Sequence, residues 1–300
     1  MKPQHYGLLL AILSPLFSSI ATILQSGATK ILHPLIVTSI GGLSGSLILF
    51  ILIFLAKEKV EYNKIRTNIK SISLMTLFRP LIGATVFAYG LSMTTGIKAI
   101  FFTKAEPYFV LFWHWLLKKE KVNSKHLILL TVHILGAIIL STGGILEFSR
   151  SQFGDLLVIL AMGFFSLSYI YGSKLSNKLG SKISNAITLG IAGIILLPFM
   201  LLFSPVTEVL NEKIGWSYFI SYVILFNVIG LTLWFAALKT VKGWIVSALR
   251  SLGPIIGAPF AWLLFGETLS IVQIIGGILV LITSALIARG HLKIENSKAN

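Results

Sequence analysis

The chain has 300 residues, 55% of them hydrophobic and only 12% charged, with a mean hydropathy of +0.89. Soluble domains carry roughly a quarter charged residues, so this composition excludes a water-soluble globular protein and points to an all-α membrane protein, because lipid offers no partner to unpaired backbone groups. The net charge of +15 comes without a basic domain or a run of five like charges, which argues against nucleic-acid binding, and the lack of cysteine excludes disulfides and thiolate chemistry.

A span needs about twenty mainly apolar residues. Read between charged or Gly/Asn/Ser-rich breaks, the sequence predicts ten transmembrane helices near 7–24, 34–56, 72–93, 97–117, 127–146, 154–173, 183–203, 217–238, 244–265 and 270–288. The N-terminal apolar stretch is read as the first span rather than a signal peptide, since many apolar segments follow it. The longest connection, 57–70, leaves no room for a soluble domain. Eighteen Lys and Arg fall in loops and tails on one side, against Lys30, Lys98, Arg150 and Lys213 on the other. That asymmetry predicts both termini in the cytoplasm and a multi-pass protein of the inner (plasma) membrane.

An offset of 147 residues aligns two blocks of the chain without gaps. Gly7–Ser26 falls on Gly154–Ser173 with nine identities in twenty, and Gly83–Glu120 falls on Gly230–Glu267, pairing Gly83 with Gly230, Gly96 with Gly243, Pro107 with Pro254, Trp115 with Trp262 and Glu120 with Glu267. One offset and rare residue types argue for duplication. The units are 1–146 and 147–290, with 291–300 as a cytoplasmic tail. Five spans per unit is an odd number, so the second must insert upside down. Two inverted five-helix repeats are the plan of a secondary transporter, whose site lies between the halves near the midplane.

The segments Gly154–Ser173, Glu106-Pro107 through Trp115-Leu116-Leu117-Lys118-Lys119-Glu120, Gly253-Pro254 through Trp262-Leu263-Leu264-Phe265-Gly266-Glu267, and Gln273-Ile274-Ile275-Gly276-Gly277 carry a family likeness. On them the chain resembles the ten-span EamA-type branch of the drug/metabolite transporter superfamily. The resemblance implies a central cavity lined by the third, fourth, eighth and ninth spans, and it favours efflux of amino acids or related organic compounds. One departure is Glu106, whose repeat-mate is Gly253.

Four charges lie well inside predicted spans, away from their ends: Arg79, Lys104, Glu106 and Arg250. A charge at mid-bilayer costs roughly 2.5–3.5 kcal/mol on insertion scales, so these should face a hydrated cavity or each other. Pro80, Pro107 and Pro254 lie beside them, and each can break its helix and open a turn toward such a cavity. Three cations against one carboxylate leave an excess of positive charge that suits a substrate carboxylate or phosphate. Arg250 or Arg79 is the candidate ligand of a carboxylate, and Glu106 of an amine or a coupling proton. Tyr89, Phe101, Tyr108 and Trp234 could line the same pocket, and Asn227 and Gln273 are candidate cavity donors or interhelical ties. His114 and His133 have no metal-ligand neighbours and read as packing or interfacial residues. Glu120 and Glu267, at helix ends, are expected to partner loop cations or backbone amides.

The reading is a carrier of a small-molecule substrate in the lipid bilayer, acting as a monomer or homodimer, without metal or cofactor. An uptake carrier for an anionic metabolite and a passive channel are the other readings. No G-x-x-x-x-G-K-[ST] loop supports ATP-driven transport, and no His-rich, Asp/Asp or Ser/His arrangement at span depth supports an enzyme. Replacing Arg250 with Met is expected to abolish substrate flux in proteoliposomes while membrane insertion stays intact; unaltered flux would remove this residue from the site.

Overall fold

The computed structural model describes residues 3–118, 124–143, 149–241 and 253–299, with Val246 and Leu249 between the last two segments. Every regular element among them is helical. In chain order these are α1 (Pro3–Ile31), α2 (Pro34–Leu55), α3 (Tyr62–Thr67), α4 (Ile69–Thr76), α5 (Ala84–Met93), α6 (Gly96–Phe102), α7 (Glu106–Lys118) and α8 (Ser124–Thr142). The second half contains α9 (Arg150–Leu179), α10 (Ser181–Phe203), α11 (Lys213–Tyr222), α12 (Leu231–Ala237), α13 (Gly253–Phe265) and α14 (Ile271–Ala299).

Six helical runs among the described residues are long and apolar enough to cross a membrane: Tyr6–Ile31, Pro34–Leu55, Ile69–Met93, Arg150–Leu179, Ser181–Phe203 and Lys213–Ala237. Ile128–Thr142, Gly253–Phe265 and Ile271–Thr283 are shorter apolar helices. Most of the stretch 244–252, the start of the predicted ninth span, lies outside the described residues. Two features differ from the sequence reading. The connection 57–70 carries the short exposed helix α3, and α14 continues through the predicted tail to Ala299, where no proline interrupts it.

Helix ends follow local chemistry. At α9 the Ser149 hydroxyl accepts from the Gln152 N–H while the Gln152 side chain accepts from the Ser149 N–H at 2.6 Å, a reciprocal capping box. The helix stops at Gly180, whose φ of 89° is open to glycine at little strain. Ser270 and Gln273 form the same box at the start of α14. Gln273 is therefore a capping side chain, which the Ser-x-x-Gln spacing could have announced, rather than a cavity donor or an interhelical tie.

The two longest runs that change helical pitch do so at matching places. π-helical turns at Leu77–Gly83 join α4 to α5, and at Val223–Gly230 they join α11 to α12. Both end on the glycine pair aligned by the 147-residue offset. The packing repeats at that offset too. A side chain added at Gly154 would strike Met93 and the Thr94 backbone, and one added at Gly7 would strike Thr240 and Val241. Likewise a Cβ at Gly83 would strike Phe165, and one at Gly230 would lie 3.8 Å from Ser18. Each half thus packs its first long helix on the wide-turn helix of the other.

Between α2 and α10 the backbones approach closely through small residues, as the Gly41-Gly42-x-x-Gly45 cluster suggests. Ser39 Oγ donates to Gly193 O at 3.0 Å, and Ser46 Oγ donates to Ala186 O at 2.8 Å. A Cβ at Gly193 would lie 2.8 Å from Leu43 N and 2.9 Å from Ser39 O. Gly193→Val therefore forces the two helices apart and is expected to destabilise the protein by about 1–3 kcal/mol or more, seen as a lower melting temperature in detergent.

Candidate functional site

Arg79 sits in the π-helical turn between α4 and α5. Pro80 has no N–H to continue the ladder, and the wider turn accommodates it. The guanidinium is 3% exposed. Its Nη1 donates to Ser168 Oγ at 3.0 Å, and its Cζ lies 4.0 Å from the Trp234 ring centroid and 5.1 Å from that of Phe165. A desolvated cation over an indole face gains about 2 kcal/mol or more. The cation is thus held by an aromatic box and one hydroxyl, turned into the bundle and away from lipid.

Glu106 and Lys104 flank a second irregularity. The helix tightens into a 3₁₀ turn at Thr103–Ala105, and α7 starts anew at Glu106. Pro107 therefore lies in a first helical turn, where its missing N–H leaves no bond unmade. The sequence predicts an opened turn here; the chain breaks its helix by tightening it instead. Glu106, 1% exposed, accepts at Oε2 from the Tyr169 hydroxyl at 3.1 Å. Tyr169 meets Trp234 edge-on, with ring centroids 5.1 Å apart. Arg79 and Glu106 are thereby linked through Trp234 and Tyr169. Lys104, 4% exposed, extends to the start of α13, where a Cβ on Gly253 would stand 2.9 Å from its Nζ and 2.8 Å from Ser19 Oγ. The glycine that replaces Glu106 in the second half makes room for this ammonium.

The remaining candidates divide. Asn227 lines the same small cavity as Arg79 and also ties helices, donating from Nδ2 to Gly41 O at 2.8 Å while its own carbonyl accepts from Asn185 at 2.7 Å. Trp234 is buried at the centre of the cluster. Tyr108 faces the other way, against His133 at 4.3 Å, and Tyr89 packs edge-on at 5.7 Å against His33, near the start of α2. Arg250 lies outside the described residues, as do Glu120 and the His114 side chain. His133 bonds Thr283 Oγ1 at 3.0 Å, a packing role as the sequence suggests.

One expectation changes in kind. Among the described residues, Arg79 faces a small cavity rather than a broad one. The cavity beside Arg79, bounded also by Thr38, Pro80, Phe165, Tyr222 and Asn227, measures about 30 Å³, room for a water or two. Side chains that could not be assigned to the site from sequence fill the space: Phe165, Ser168 and Tyr169, all on α9. In sequence they read as part of an ordinary apolar span, and no periodicity marks them.

The sequence pattern of EamA-like transporters matches residues 5–142 and matches again over 152–289. The chain belongs to the EamA-like transporter family. That places it in the drug/metabolite transporter superfamily, among multi-pass membrane proteins. It is 29% identical over 225 residues to an uncharacterized transporter of Methanothermobacter thermautotrophicus, covering 73% of this chain and 64% of that one, so it spans a little under two thirds of that relative. To the uncharacterized transporter YoaV of Bacillus subtilis it is 23% identical over 253 residues, covering 82% of this chain and 84% of that one. A crystal structure of a protein 16% identical superposes with a TM-score of 0.65 over 96% of this chain and 97% of that one, a likeness of fold.

In this EamA-like chain the sequence reading missed a further ionic centre. Lys98, counted among loop cations, is buried, and its Nζ lies 2.8 Å from Asp155 Oδ2. It also donates to Ser151 Oγ at 3.0 Å and Ser141 O at 3.2 Å. Thr94 and Ser141 donate to the Asp155 carboxylate. Beside it, Glu267 accepts from the Gly96 and Ile97 N–H groups at 3.1 and 2.8 Å and pairs with Lys30 at 3.2 Å, the role expected of it. Two carboxylates from the second half thus converge on the first turn of α6. An acidic residue within a predicted span, Asp155 in Gly154–Ser173, was the available signal. At the 147-residue offset Lys98 and Asp155 correspond to Ile245 and Leu8. Lys98→Ile should strand a buried carboxylate and destabilise by about 3–5 kcal/mol. Adding Asp155→Leu, which copies the apolar pair of the other half, should restore most of the loss in thermal melts.

Proposed function

We propose that this EamA-like chain is a secondary transporter that moves a small zwitterionic or anionic metabolite, an amino acid or related organic compound, by alternating access. In this reading ten spans form two inverted five-helix repeats, 1–146 and 147–290, in the inner (plasma) membrane with both termini cytoplasmic. The positive-inside asymmetry of the loops supports that orientation. The odd number of spans per repeat and packing that recurs at the 147-residue offset support inversion.

One observation carries the substrate assignment: Arg79, Lys104 and Glu106 are buried together around the core where the halves meet, and Trp234 and Tyr169 connect the guanidinium to the carboxylate. The cations outnumber the carboxylate, and Arg250 adds to the excess in sequence. An arginine guanidinium has the planar fork geometry that recognises a carboxylate, which a lysine lacks. Glu106, released from Tyr169, can meet an ammonium group or take a proton, so proton coupling is chemically available. The small volume beside Arg79 supports a carrier caught closed over its site, whereas a channel requires a continuous passage. The resemblance favours export, with net direction set by the gradients imposed.

The test uses proteoliposomes loaded with candidate amino acids and organic acids. Arg79→Lys preserves charge but not the planar stack, and is expected to lower exchange about tenfold or more, equivalent to about 1.4 kcal/mol, with unchanged elution and melting. Glu106→Gln should abolish any dependence of flux on a proton gradient. Counter-transport stimulation by substrate on the far side marks a carrier. Its absence at fast flux, or full activity in both variants, would overturn the reading.

A further inference from the structure

A larger cavity among the described residues lies apart from the one beside Arg79. It encloses about 700 Å³ between α7, α8 and α9, within the range of about 300–1,000 Å³ that holds a small-molecule ligand. The residues around the 3₁₀ turn Thr103–Ala105 and the start of α7 form one wall of it. Lys104 and Glu106 lie on the inner side of that wall, while Phe102, Ala105, Tyr108 and Phe109 line the large cavity.

Asp155, Gln152 and His133 in its lining have partners. Asp155 is matched by Lys98, Thr94 and Ser141; Gln152 accepts from the Ser149 N–H; and His133 is engaged with Thr283. Nothing at this corner calls for a charged ligand. The rest of the lining is aromatic and aliphatic, and water enters such a space only where two to four polar partners await it. The mouth is flanked by Phe112 on α7, Ile134 and Ile138 on α8, and Leu156 on α9, all exposed. In a multi-pass membrane protein, exposed apolar helix faces meet acyl chains, so the mouth of the cavity opens toward the lipid phase.

We propose that this cavity is a binding site for one acyl chain of a membrane phospholipid, entering sideways past α8. The chain replaces the dispersion contacts that an empty apolar space of this size forfeits. Seated there, it rests against Ala105 and Tyr108, the back of the turn that presents Lys104 and Glu106. The site does not depend on the identity of the transported substrate.

The experiment places the full-length protein in nanodiscs of phosphatidylethanolamine and phosphatidylglycerol doped with a phospholipid bearing a diazirine at one acyl-chain end. After illumination, the labelled residues are mapped by mass spectrometry. Residues lining the cavity, such as Phe109 and Ile159, should be labelled about tenfold more than Phe54 and Leu55, which are exposed on α2. Ala137→Trp, which fills the cavity, and Ile138→Trp, which narrows its mouth, should each lower cavity labelling to the level of α2. The second variant leaves the buried crossing of Gly136 with Gly276 intact and guards against misfolding of the first. Equal labelling of cavity and α2, labelling unchanged in Ile138→Trp, or labelling only by a diazirine-bearing free fatty acid would overturn the proposal.

Discussion

A charge within a lipid-embedded bundle has to be solvated by the bundle itself. Arg79 meets this demand with an indole face, a phenyl ring and a serine hydroxyl, all delivered from α9 and α12. Glu106 meets it with the Tyr169 hydroxyl, and Tyr169 rests on the same indole. Trp234 is therefore the hub: it stabilises the cation on its face and positions the donor to the carboxylate at its edge. The irregular helical turns follow from the same constraint. A π turn at Arg79 and a 3₁₀ turn at Lys104 change the direction in which these side chains leave the helix, and each turn lies beside a proline, which removes a donor from the regular ladder.

Duplication explains the frame, and its departures explain the chemistry. Wide turns, glycine contacts and aligned glycines recur at one offset through both halves. Apart from Glu120 and Glu267, the ionisable groups of the predicted spans do not. Arg79 corresponds to Phe226, Pro80 to Asn227, Lys104 to Ser251, Glu106 to Gly253, and Asp155 to Leu8. Different charges at matching positions make the two halves of a duplicated scaffold chemically distinct. The Lys98–Asp155 pair and the Glu267 cap, gathered at the first turn of α6, join the halves at one end. Asn227, at the place of Pro80, uses its side chain to tie α2 to the wide turn rather than to break it.

The two cavities divide the work of the interior. The one beside Arg79 is nearly filled, which matches a site that must exclude water to make its ionic contacts strong. The larger one is lined mainly by apolar side chains of α7, α8 and α9.

Composition and hydropathic runs alone determined that the chain is helical and lipid-embedded, because no other backbone arrangement satisfies its own hydrogen bonds there. The repeat offset, the prolines beside charges and the small-residue seam of α2 were also legible, since each rests on residue types with one strong physical preference. Trp234 and Asn227 could be nominated, and the structure brings them to Arg79. It sends Tyr108 and Tyr89 elsewhere, because helix rotation and crossing decide which face of a span meets the core, and an apolar span shows no polar face from which to read that rotation. Tyr169, Ser168 and the Lys98–Asp155 pair became visible only once α9 was docked against the first half. Their partners lie between 53 and 89 positions away in the chain for Ser151 and Ser168, and contacts at such separation leave no local pattern. The sequence by itself determined which solvent the helices face; only tertiary packing decided which charges face one another.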